Sequence, residues 1–351
     1  MVYRVPSMAE VDSLRGSNGF SAVSTFSGAG GSSLGLSMAG FRVLRAHEFV
    51  DAAARVYEAN NPGVPVDRRD IRQVSAEDLL GSIGLARGGL DLLEGSPPCS
   101  PFSTAGSRHK GWGKVKEYSD TEQRSDDLFF EYARLVDGVE PRVFIAENVS
   151  GLVKGVSKGY FLEILAALKA AGRGYRVGVK LLDSRWLGVP QARQRVIFVG
   201  VRADLTDANG DPIEPCHPRP FGRPIALREA LEGVSGPVEP KSRFYKSLMD
   251  EWHRLRPGEQ SRKYFQFRRM SWGEVAPTIH AGCVVKAAAV HPDEPRWFSI
   301  AELKRICSFP DDFVLSGSYG QQGERLGRSV PPLMARAIGE TVRDDILRRA
   351  V

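Results

Sequence analysis

One thiol of this sequence lies in a constrained frame, the stretch Gly-Ser-Pro-Pro-Cys-Ser-Pro-Phe-Ser at residues 95–103. Proline fixes φ and lacks an amide donor, so three prolines within five positions predict a rigid bend after the apolar run at residues 90–93. A cysteine is either a nucleophile, as its thiolate, or a small core hydrophobe. The proline frame favours a nucleophilic role for Cys99, with a buried structural thiol as the alternative.

An acid and two guanidiniums lie at the ends of later apolar runs. Glu147 ends one run, where partial desolvation favours the protonated, proton-donating form of a carboxyl group; a capping or ion-paired acid is the alternative. Gln191, Arg193 and Arg195 open another run, and alternate residues of a strand share a face, so we expect these side chains to point the same way. Two guanidiniums on one face bind phosphate or a polar base edge, although a solvated strand face has the same pattern.

A glycine-rich turn, Ser-Gly-Ala-Gly-Gly at residues 27–31, joins the strand-type run 20–26 to the helix-type run 34–39. Glycines in such a turn let the backbone approach a ligand closely, and the helix N-terminus supplies amide donors. A nucleotide-like cofactor is expected, although the dinucleotide of a dehydrogenase fits this turn equally well. Glu48 follows the next run, 41–46, where such folds place an acid on the ribose hydroxyls; a solvated strand end is the alternative.

The alternation of strand-type and helix-type runs predicts how these residues are positioned. Strand-type runs lie at residues 20–26, 41–46, near 70–71, 90–93, 143–146 and 196–201, and helix-type runs at 34–39, 52–59, 76–80 and 128–136. This order predicts an α/β fold with a doubly wound, mostly parallel sheet. Residues 103–124 are rich in glycine and basic side chains, which indicates either a disordered surface segment or a lid over a phosphate-bearing substrate.

Composition limits the classes of protein to consider. The chain has 351 residues, enough for two domains, and no apolar stretch of the roughly 18 residues that a membrane helix needs. Its N-terminus lacks the order of a signal peptide, so we expect a cytoplasmic, nucleoid-associated protein. Cys99, Cys216, Cys283 and Cys307 form no Cys-x-x-Cys pair, so neither a disulfide framework nor a metal site is predicted. The net charge of +6 permits an anionic partner.

The motifs, taken in order, resemble those of the cytosine-5 DNA methyltransferase family of the bacterial and phage type. The resemblance rests on Phe-Ser-Gly-Ala-Gly-Gly at 26–31, Pro-Pro-Cys at 97–99, Glu-Asn-Val at 147–149, Gln-x-Arg-x-Arg at 191–195, the segment 296–313 with its Phe-Pro pair, and the final motif at 327–332. It covers nearly the whole chain and implies the Rossmann-like fold of S-adenosylmethionine-dependent methyltransferases. We expect a catalytic and cofactor-binding domain at residues 1–200 and 314–351, and a smaller DNA-recognition domain at 201–313.

The resemblance implies covalent chemistry on a cytosine flipped out of the duplex. Cys99 adds as thiolate to carbon 6, while Glu147 donates a proton or hydrogen bond at ring nitrogen 3, and carbon 5 then takes the methyl group. Arg195 holds the exocyclic oxygen of the base, and Arg193 supports the closed loop or the backbone. The cofactor, S-adenosylmethionine, is expected against Phe26, Gly28, Gly30, Gly31, Glu48, Phe49, Asp70 and Ile71, with Arg328, Ser329 and Val330 from the final motif.

Double-stranded DNA is the implied partner, read by about residues 201–290, where basic side chains alternate with aromatics. Those singled out are Arg219, Phe221, Arg223, Arg243, Phe244, Tyr245, Lys246, Trp252, Arg262, Lys263, Tyr264, Arg268 and Arg269. Basic residues contact phosphates and a few read guanine edges, and the shortness of the region implies a short recognition sequence. We expect a monomer without membrane contact; a cognate restriction endonuclease is left open. A transfer-RNA cytosine-5 methyltransferase with the same motif order is an alternative.

One departure from the family's motifs bears on which group is transferred to the cytosine. The family's final motif usually reads Gly-Asn-Ser-Val, whereas this chain has Arg328 in the place of the asparagine. A guanidinium about 5 to 6 Å from a sulfonium costs on the order of 3 kcal/mol at an effective dielectric constant of 20. Arginine suits a cofactor whose transferred group is a carboxylate, such as carboxy-S-adenosylmethionine, and the product would be 5-carboxymethylcytosine. In the alternative, Arg328 turns to a protein carboxylate or a DNA phosphate and methylation proceeds.

Overall fold

The fold is described from a computed structural model, which defines residues 3–98, 116–118, 121–123, 127–153, 158–264, 266–282 and 289–351. The chain forms two compact units. The sheet unit comprises Asp12–Leu182, Gln194–Pro218 and Ala335–Val351, and the small unit comprises Met1–Val11, Asp183–Arg193 and Arg219–Met334. Residues 1–11, 183–193 and 314–334, expected in the catalytic domain, belong to the small unit. Residues 201–218, expected in the recognition domain, belong to the sheet unit. The roles of the two domains stay predictions.

Parallel strands dominate the sheet unit. The described strands are β1 Ser21–Thr25, β2 Arg42–His47, β3 Val66–Asp67, β4 Leu92–Gly95, β5 Lys116–Tyr118, β6 Thr121–Gln123, β7 Val143–Val149, β8 Tyr175–Asp183, β9 Gln191–Ala192, β10 Gln194–Arg202, β11 Arg268–Arg269, β12 Ala276–Pro277 and β13 Ala289–Val290. Seven of these form one sheet in the order β3-β2-β1-β4-β7-β10-β8. Neighbours from β3 to β7 pair in parallel, and β10 is antiparallel to β7. The predicted α/β fold with a mostly parallel sheet is confirmed.

Helices connect the parallel strands. The α-helices of the described residues are α1 Met8–Leu14, α2 Gly31–Met38, α3 Asp51–Asn60, α4 Ala76–Ile83, α5 Leu128–Val139, α6 Lys158–Ala170, α7 Leu227–Leu231, α8 Lys246–Arg254, α9 Ile300–Ile306, α10 Tyr319–Arg328 and α11 Pro332–Thr341. The expected strand end near residues 70–71 is wrong. Asp70 instead caps a short 3-10 helix, Ile71–Gln73, because its Oδ1 accepts a hydrogen bond from the Arg72 amide at 3.0 Å. None of the described helices is long and apolar enough to cross a membrane.

The core of the sheet unit fixes the carboxyl ends of β4 and β7. Helix α5 buries one face against these strands, and the Tyr132 hydroxyl lies within hydrogen-bond distance of the carbonyl oxygens of Leu93 and Ile145, at 3.0 and 2.9 Å. Gly95 ends β4, and a Cβ atom there would lie only 2.5 Å from both Thr25 Oγ1 and the Tyr132 ring. Glycine is therefore required where β4 leads toward the Pro-Pro-Cys segment.

The continuous strand expected from residue 191 to 201 is instead two strands. Strand β9 pairs with β12, whereas β10 pairs with β7 in the large sheet. The amide of Arg193 lies between them and donates to the Gln191 carbonyl oxygen at 3.1 Å and to Ser184 Oγ at 3.2 Å, so it is turned out of a strand ladder. The prediction that alternate residues from Gln191 to Arg195 share one face is wrong, because the alternation is broken at Arg193.

Candidate active site

The strand order places two predicted motifs at one edge of the sheet. Strands β1 and β4 are parallel neighbours, but the chain continues from β1 to β2 on one side and from β4 to β7 on the other. The carboxyl ends of strands that diverge in this way form a crevice, which is the usual ligand site of doubly wound sheets. The glycine-rich turn follows β1, and Pro97 and Pro98 follow β4, so both motifs lie at this crevice.

The glycine-rich turn has a left-handed backbone at three positions. Phe26, Gly28 and Gly30 have φ angles of 53, 55 and 95°. At Gly30 a Cβ atom would lie 3.0 Å from the ring of Tyr57, whereas at Gly28 it would meet no atom within 4 Å. The turn therefore packs closely on the protein at Gly30 and faces open space at Gly28. Helix α2 begins at the next residue, and no side chain caps it.

Glu48 holds the turn in place from the end of β2. Its Oε2 accepts a hydrogen bond from the Gly28 amide and its Oε1 one from the Val50 amide, both at 2.7 Å. Phe49 follows and is half-buried, and the Phe26 ring packs edge-on against His47 with 6.3 Å between ring centroids.

Asp70 and Ile71 lie after β3. Ile71 is buried, and Asp70 is partly exposed while it also pairs with Arg72 at 3.0 Å. In the sheet unit, Gly28 is thus hydrogen-bonded to Glu48, and Phe26 packs on the residue before Glu48. Asp70 and Ile71 lie at the start of the connection that follows β3.

Glu147 and Arg195 form an ion pair between β7 and β10. Arg195 Nε lies 2.7 Å from Glu147 Oε1, and each side chain is 13% exposed. In the antiparallel register Arg195 faces Val149 and Ile197 faces Glu147, so the two charged side chains are diagonal neighbours on one face. Burial lowers the pKa of the Arg195 guanidinium, and the negative charge of Glu147 opposes that shift. The predicted acid and base-binding arginine are therefore in direct contact.

Asn148 links β7 to the segment that precedes the candidate nucleophile. Its side chain is buried, and Nδ2 donates to the Pro97 carbonyl oxygen at 3.0 Å. Cys99 itself lies outside the described residues, as does most of the predicted lid at 103–124. Within that segment the described strands β5 and β6 pair antiparallel.

Arg193 is buried within the small unit. Its Nη1 donates to the carbonyl oxygens of Ile279 and Gly327 at 2.9 and 3.0 Å, and its Nη2 lies 3.4 Å from that of Arg328. A planar guanidinium with five donors suits this fan of carbonyls better than a lysine would. Arg193 thus joins two segments of the small unit, whereas Arg195 pairs with Glu147 in the sheet unit.

The final motif ends helix α10. Arg328 Nε donates to Glu324 Oε1, one helical turn earlier, at 2.8 Å, and the arginine side chain is 41% exposed. Ser329 caps the helix end through its hydroxyl, which donates to the Arg325 carbonyl oxygen at 2.7 Å, and Val330 is buried. A protein carboxylate therefore neutralises the charge of Arg328, as in the alternative considered for this residue.

The aromatic residues of the expected recognition region fall into two groups. The Trp252 ring is buried, donates from Nε1 to the His291 carbonyl oxygen at 3.0 Å and stacks under the Arg269 guanidinium at 3.7 Å. Phe244 is also buried. Phe221 and Tyr245, in contrast, are 51% and 61% exposed. Phe221 and Tyr245 therefore expose ring surface to solvent, whereas Trp252 and Phe244 pack inside the small unit.

Sequence reasoning missed Glu94. This residue ends an apolar strand, β4, and its carboxyl group is buried beside the crevice. Ser24 Oγ donates to Glu94 Oε2 at 2.7 Å, and Ser96 Oγ to Oε1 at 3.3 Å. Burial raises the pKa of Glu94 to about 7, and the serine hydroxyls oppose the shift. An acidic residue within the run Leu-Leu-Glu-Gly is the signal that could have identified it.

The doubly wound sheet, with a glycine turn and an acid at the ends of its first two strands, is the fold of S-adenosylmethionine-dependent methyltransferases. The family model for C-5 cytosine-specific DNA methylases matches residues 20–344. This chain therefore belongs to the C-5 cytosine-specific DNA methylase family, and it is a DNA cytosine-5 methyltransferase. The predicted family is confirmed, and family and fold imply S-adenosylmethionine as methyl donor.

Individual relatives agree with this assignment. Type II methyltransferase M.Sau96I of Staphylococcus aureus is 32% identical and aligns with 97% of this chain and 79% of its own length. Type II methyltransferase M1.HphI of Haemophilus parahaemolyticus is also 32% identical, with coverages of 91% and 86%. The crystal structure of a DNA modification methyltransferase encoded within an E. coli prophage has the same fold. It gives a TM-score of 0.73 at 21% identity and covers 93% of this chain and 99% of that one.

Proposed function

We propose that this enzyme methylates carbon 5 of a cytosine that is flipped out of a short duplex site, through a covalent bond between Cys99 Sγ and carbon 6 of the base. The observation that carries the proposal is the arrangement at the end of β7. Glu147 is paired there with Arg195, and the adjacent Asn148 binds the Pro97 carbonyl oxygen, two residues before the thiol. One strand end thus presents an acid and also holds the backbone that leads to the nucleophile.

The chemistry assigned to these side chains balances as follows. The Cys99 thiolate forms a carbon–sulfur bond at carbon 6, and the electrons of the 5,6 double bond become available at carbon 5. Glu147 gives a proton or hydrogen bond to ring nitrogen 3, so negative charge does not accumulate on the ring. After carbon 5 has gained the methyl group, it loses its proton to a base, any proton given to ring nitrogen 3 returns to Glu147, the double bond re-forms and Cys99 leaves as thiolate.

Arg195 serves both the acid and the base-binding site in this proposal. Its Nε is bound to Glu147, and a guanidinium carries further donors in the same plane. Those donors suit the exocyclic oxygen of a cytosine whose nitrogen 3 faces Glu147. The ion pair also fixes the Glu147 carboxyl group before the base arrives, which reduces the cost of ordering the site.

The residues around the crevice fit S-adenosylmethionine, which supplies an electrophilic methyl group on a sulfonium centre. The open space at Gly28 lets a ligand approach the backbone, and the adjacent Glu48 carboxylate is the type of acceptor that binds ribose hydroxyls. Phe26 and Phe49 offer apolar surface for the adenine, and Asp70 a carboxylate for its amino group.

DNA recognition is assigned to the small unit, mainly to residues 219–290. Exposed basic side chains accompany the exposed Phe221 and Tyr245 there, and they include Arg219, Lys246, Arg262 and Lys263. Basic side chains of this kind bind phosphates, while a smaller number read base edges. We propose a monomer acting on duplex DNA, and the type II names of its relatives support a cognate restriction endonuclease.

Methyl, rather than carboxymethyl, is the transferred group that we propose. The carboxymethyl alternative requires a guanidinium charge at Arg328 that seeks a ligand carboxylate. Glu324 already supplies a carboxylate to that guanidinium at 2.8 Å. An ion pair of this geometry reduces both the repulsion of a sulfonium and the attraction for a carboxylated cofactor.

Transfer to nucleic acid in vitro tests the proposed function. Unmethylated plasmid DNA and total transfer RNA are each incubated with S-adenosylmethionine, separately and in competition, and the released nucleosides are weighed. We expect 5-methyl-deoxycytidine from DNA, its loss in Cys99→Ser, and its retention in the matched control Cys216→Ser, whose thiol donates to the Glu214 carbonyl oxygen at 3.5 Å. Product in transfer RNA alone, or undiminished activity of Cys99→Ser, would overturn the proposal.

A further inference from the structure

The buried carboxyl group of Glu94 joins three segments of the crevice. Ser24 belongs to β1, Ser32 to the first turn of α2, and Ser96 to the segment that follows β4. The hydroxyls of Ser24 and Ser96 donate to opposite oxygens of Glu94 at 2.7 and 3.3 Å, and the Ser32 side chain also hydrogen-bonds to it. Such a group is costly to bury, because three hydroxyls must replace its hydration shell.

The position of Ser96 makes this cluster relevant to the nucleophile. Ser96 is anchored to Glu94, and the next residue, Pro97, is anchored through its carbonyl oxygen to Asn148. Pro97 and Pro98 then fix two successive φ angles before Cys99. The two anchors lie on adjacent residues, and only Pro98, whose φ is also fixed, separates them from Cys99.

We propose that Glu94 is a positioning residue for methyl transfer. Its ionised carboxylate binds Ser96, in the segment that leads to Cys99, and it also binds Ser24 and Ser32, in the strand and the helix on either side of the glycine-rich turn. This inference rests on the proposed function of Cys99. Ionisation matters because a carboxylate only accepts hydrogen bonds, which matches three hydroxyl donors. Protonation turns one oxygen into a donor and reverses or breaks one of the three bonds.

The surroundings of Glu94 determine how its charge is tolerated. The ionisable groups that interact with it electrostatically are Glu147 on β7, Tyr132 on α5 and Tyr57 on α3. Burial raises the pKa of both tyrosines, so they stay neutral, and Arg195 balances the charge of Glu147. Burial also raises the pKa of Glu94 to about 7, so its protonation changes within the range where the enzyme can be assayed.

The variant Glu94→Gln tests the positioning role of the charge without changing the size of the side chain. Glutamine has the shape of glutamate and resembles its neutral form, and it does not titrate. Single-turnover methyl transfer to plasmid DNA is measured from pH 6 to pH 8 with saturating S-adenosylmethionine. We expect the ratio of wild-type to variant rate to rise from near one at pH 6 to about tenfold at pH 8, the size of effect expected of a misplaced catalytic group.

Ser96→Ala removes only the link to the nucleophile segment, and Ser82→Ala is the matched control on α4, where the hydroxyl donates to its own helix. We expect Ser96→Ala to lower the single-turnover rate with an unchanged KM for S-adenosylmethionine and a thermal midpoint near that of the wild type. A rate ratio for Glu94→Gln that is constant with pH, or a wild-type rate for Ser96→Ala, would overturn the inference. Absence of 5-methyl-deoxycytidine from the wild-type reaction would instead overturn the proposed function.

Discussion

Arg195 Nε lies 2.7 Å from Glu147 Oε1, and both side chains are almost fully removed from solvent. The pair joins the ends of two antiparallel strands, so it has a structural and a chemical consequence. Removing one member leaves the other as an uncompensated charge in a desolvated place. Stability and activity should therefore respond to the two residues in different ways.

We expect Arg195→Ala to lower the free energy of unfolding by about 3 kcal/mol, because Glu147 is left unpaired. Combining it with Glu147→Gln should recover about 2 kcal/mol of that loss, since residues in direct contact are not additive. Denaturant unfolding of the wild type, both single variants and the double variant measures the coupling. Additive stabilities would contradict a direct ion pair.

In the same set of variants, Glu147→Gln should lower kcat by about 10²–10⁴-fold, the usual contribution of a general acid.

The pH dependence of stability should identify the buried carboxyl group of Glu94. Its pKa is raised by burial from 4.5 to about 7, so the folded state binds its proton more tightly than the unfolded state. The stability that this proton confers is complete below pH 4.5 and is lost as the pH rises through about 7. Glu94→Gln lacks this loss, so its free energy of unfolding relative to wild type should rise by about 3 kcal/mol from pH 4.5 to pH 8.

Urea unfolding of both proteins at several pH values measures that difference. A difference that does not change with pH would show that Glu94 has an ordinary pKa. The two effects expected of Glu94→Gln run in opposite directions, since the variant should be more stable at pH 8 and slower in methyl transfer. Active sites commonly retain such destabilising groups because function requires them.

Two glycines of the glycine-rich turn should respond differently to replacement by alanine. Gly30→Ala forces φ near 95° on alanine and brings its Cβ within 3.0 Å of Tyr57, so the free energy of unfolding should fall by at least about 1–2 kcal/mol. Gly28→Ala meets no protein atom and should cost less stability. It should weaken S-adenosylmethionine binding about tenfold, equivalent to about 1.4 kcal/mol, because the new methyl group enters the open space. Denaturant unfolding measures the two stabilities. Calorimetric titration without DNA measures the affinity for S-adenosylmethionine, and an unchanged affinity of Gly28→Ala would contradict the assigned cofactor site.

Arg328 should leave the identity of the transferred group unchanged. With S-adenosylmethionine and carboxy-S-adenosylmethionine in equal amounts, we expect the wild type and Arg328→Asn both to yield 5-methyl-deoxycytidine. Glu324→Gln removes the carboxylate partner of Arg328, so its methyl transfer should be slower than that of either protein. The nucleosides are weighed in each case. Carboxymethyl-deoxycytidine from the wild type, absent from Arg328→Asn, would establish the carboxymethyl activity instead.

The strands and helices that were predicted correctly are those whose sequence signals lie within one segment of the chain. The apolar run before the glycine turn became β1, and the run 52–59 became α3 at Asp51–Asn60, because hydrophobic periodicity and turn glycines act within one segment. The contact between Glu147 and Arg195 was not predicted, since Glu147 ends one apolar run and Arg195 opens another. The strand pairing that makes them diagonal neighbours is a long-range property and could not be read from either segment.

The errors arise where a side chain outside the segment determines the backbone. Asp70 caps a helical turn in place of an expected strand end, and Ser184 turns the Arg193 amide out of the expected strand. Glu94 was overlooked because an acid in a buried strand contradicts the hydrophobic pattern. It is accommodated by the hydroxyls of Ser24, Ser32 and Ser96, which hydrogen-bond to it. Such compensation requires tertiary structure.

Covalent trapping of the enzyme on DNA tests the central claim most directly. Duplex DNA made by amplification with 5-fluoro-deoxycytidine triphosphate is incubated with S-adenosylmethionine, and because fluorine cannot leave carbon 5 as a proton does, the enzyme cannot release the base. We expect a denaturation-resistant protein–DNA adduct in which peptide mass spectrometry places the link on Cys99. Cys216→Ser should form it as the wild type does, and Cys99→Ser should form none. An adduct on another residue, or none from a wild-type enzyme that methylates ordinary DNA, would contradict the account.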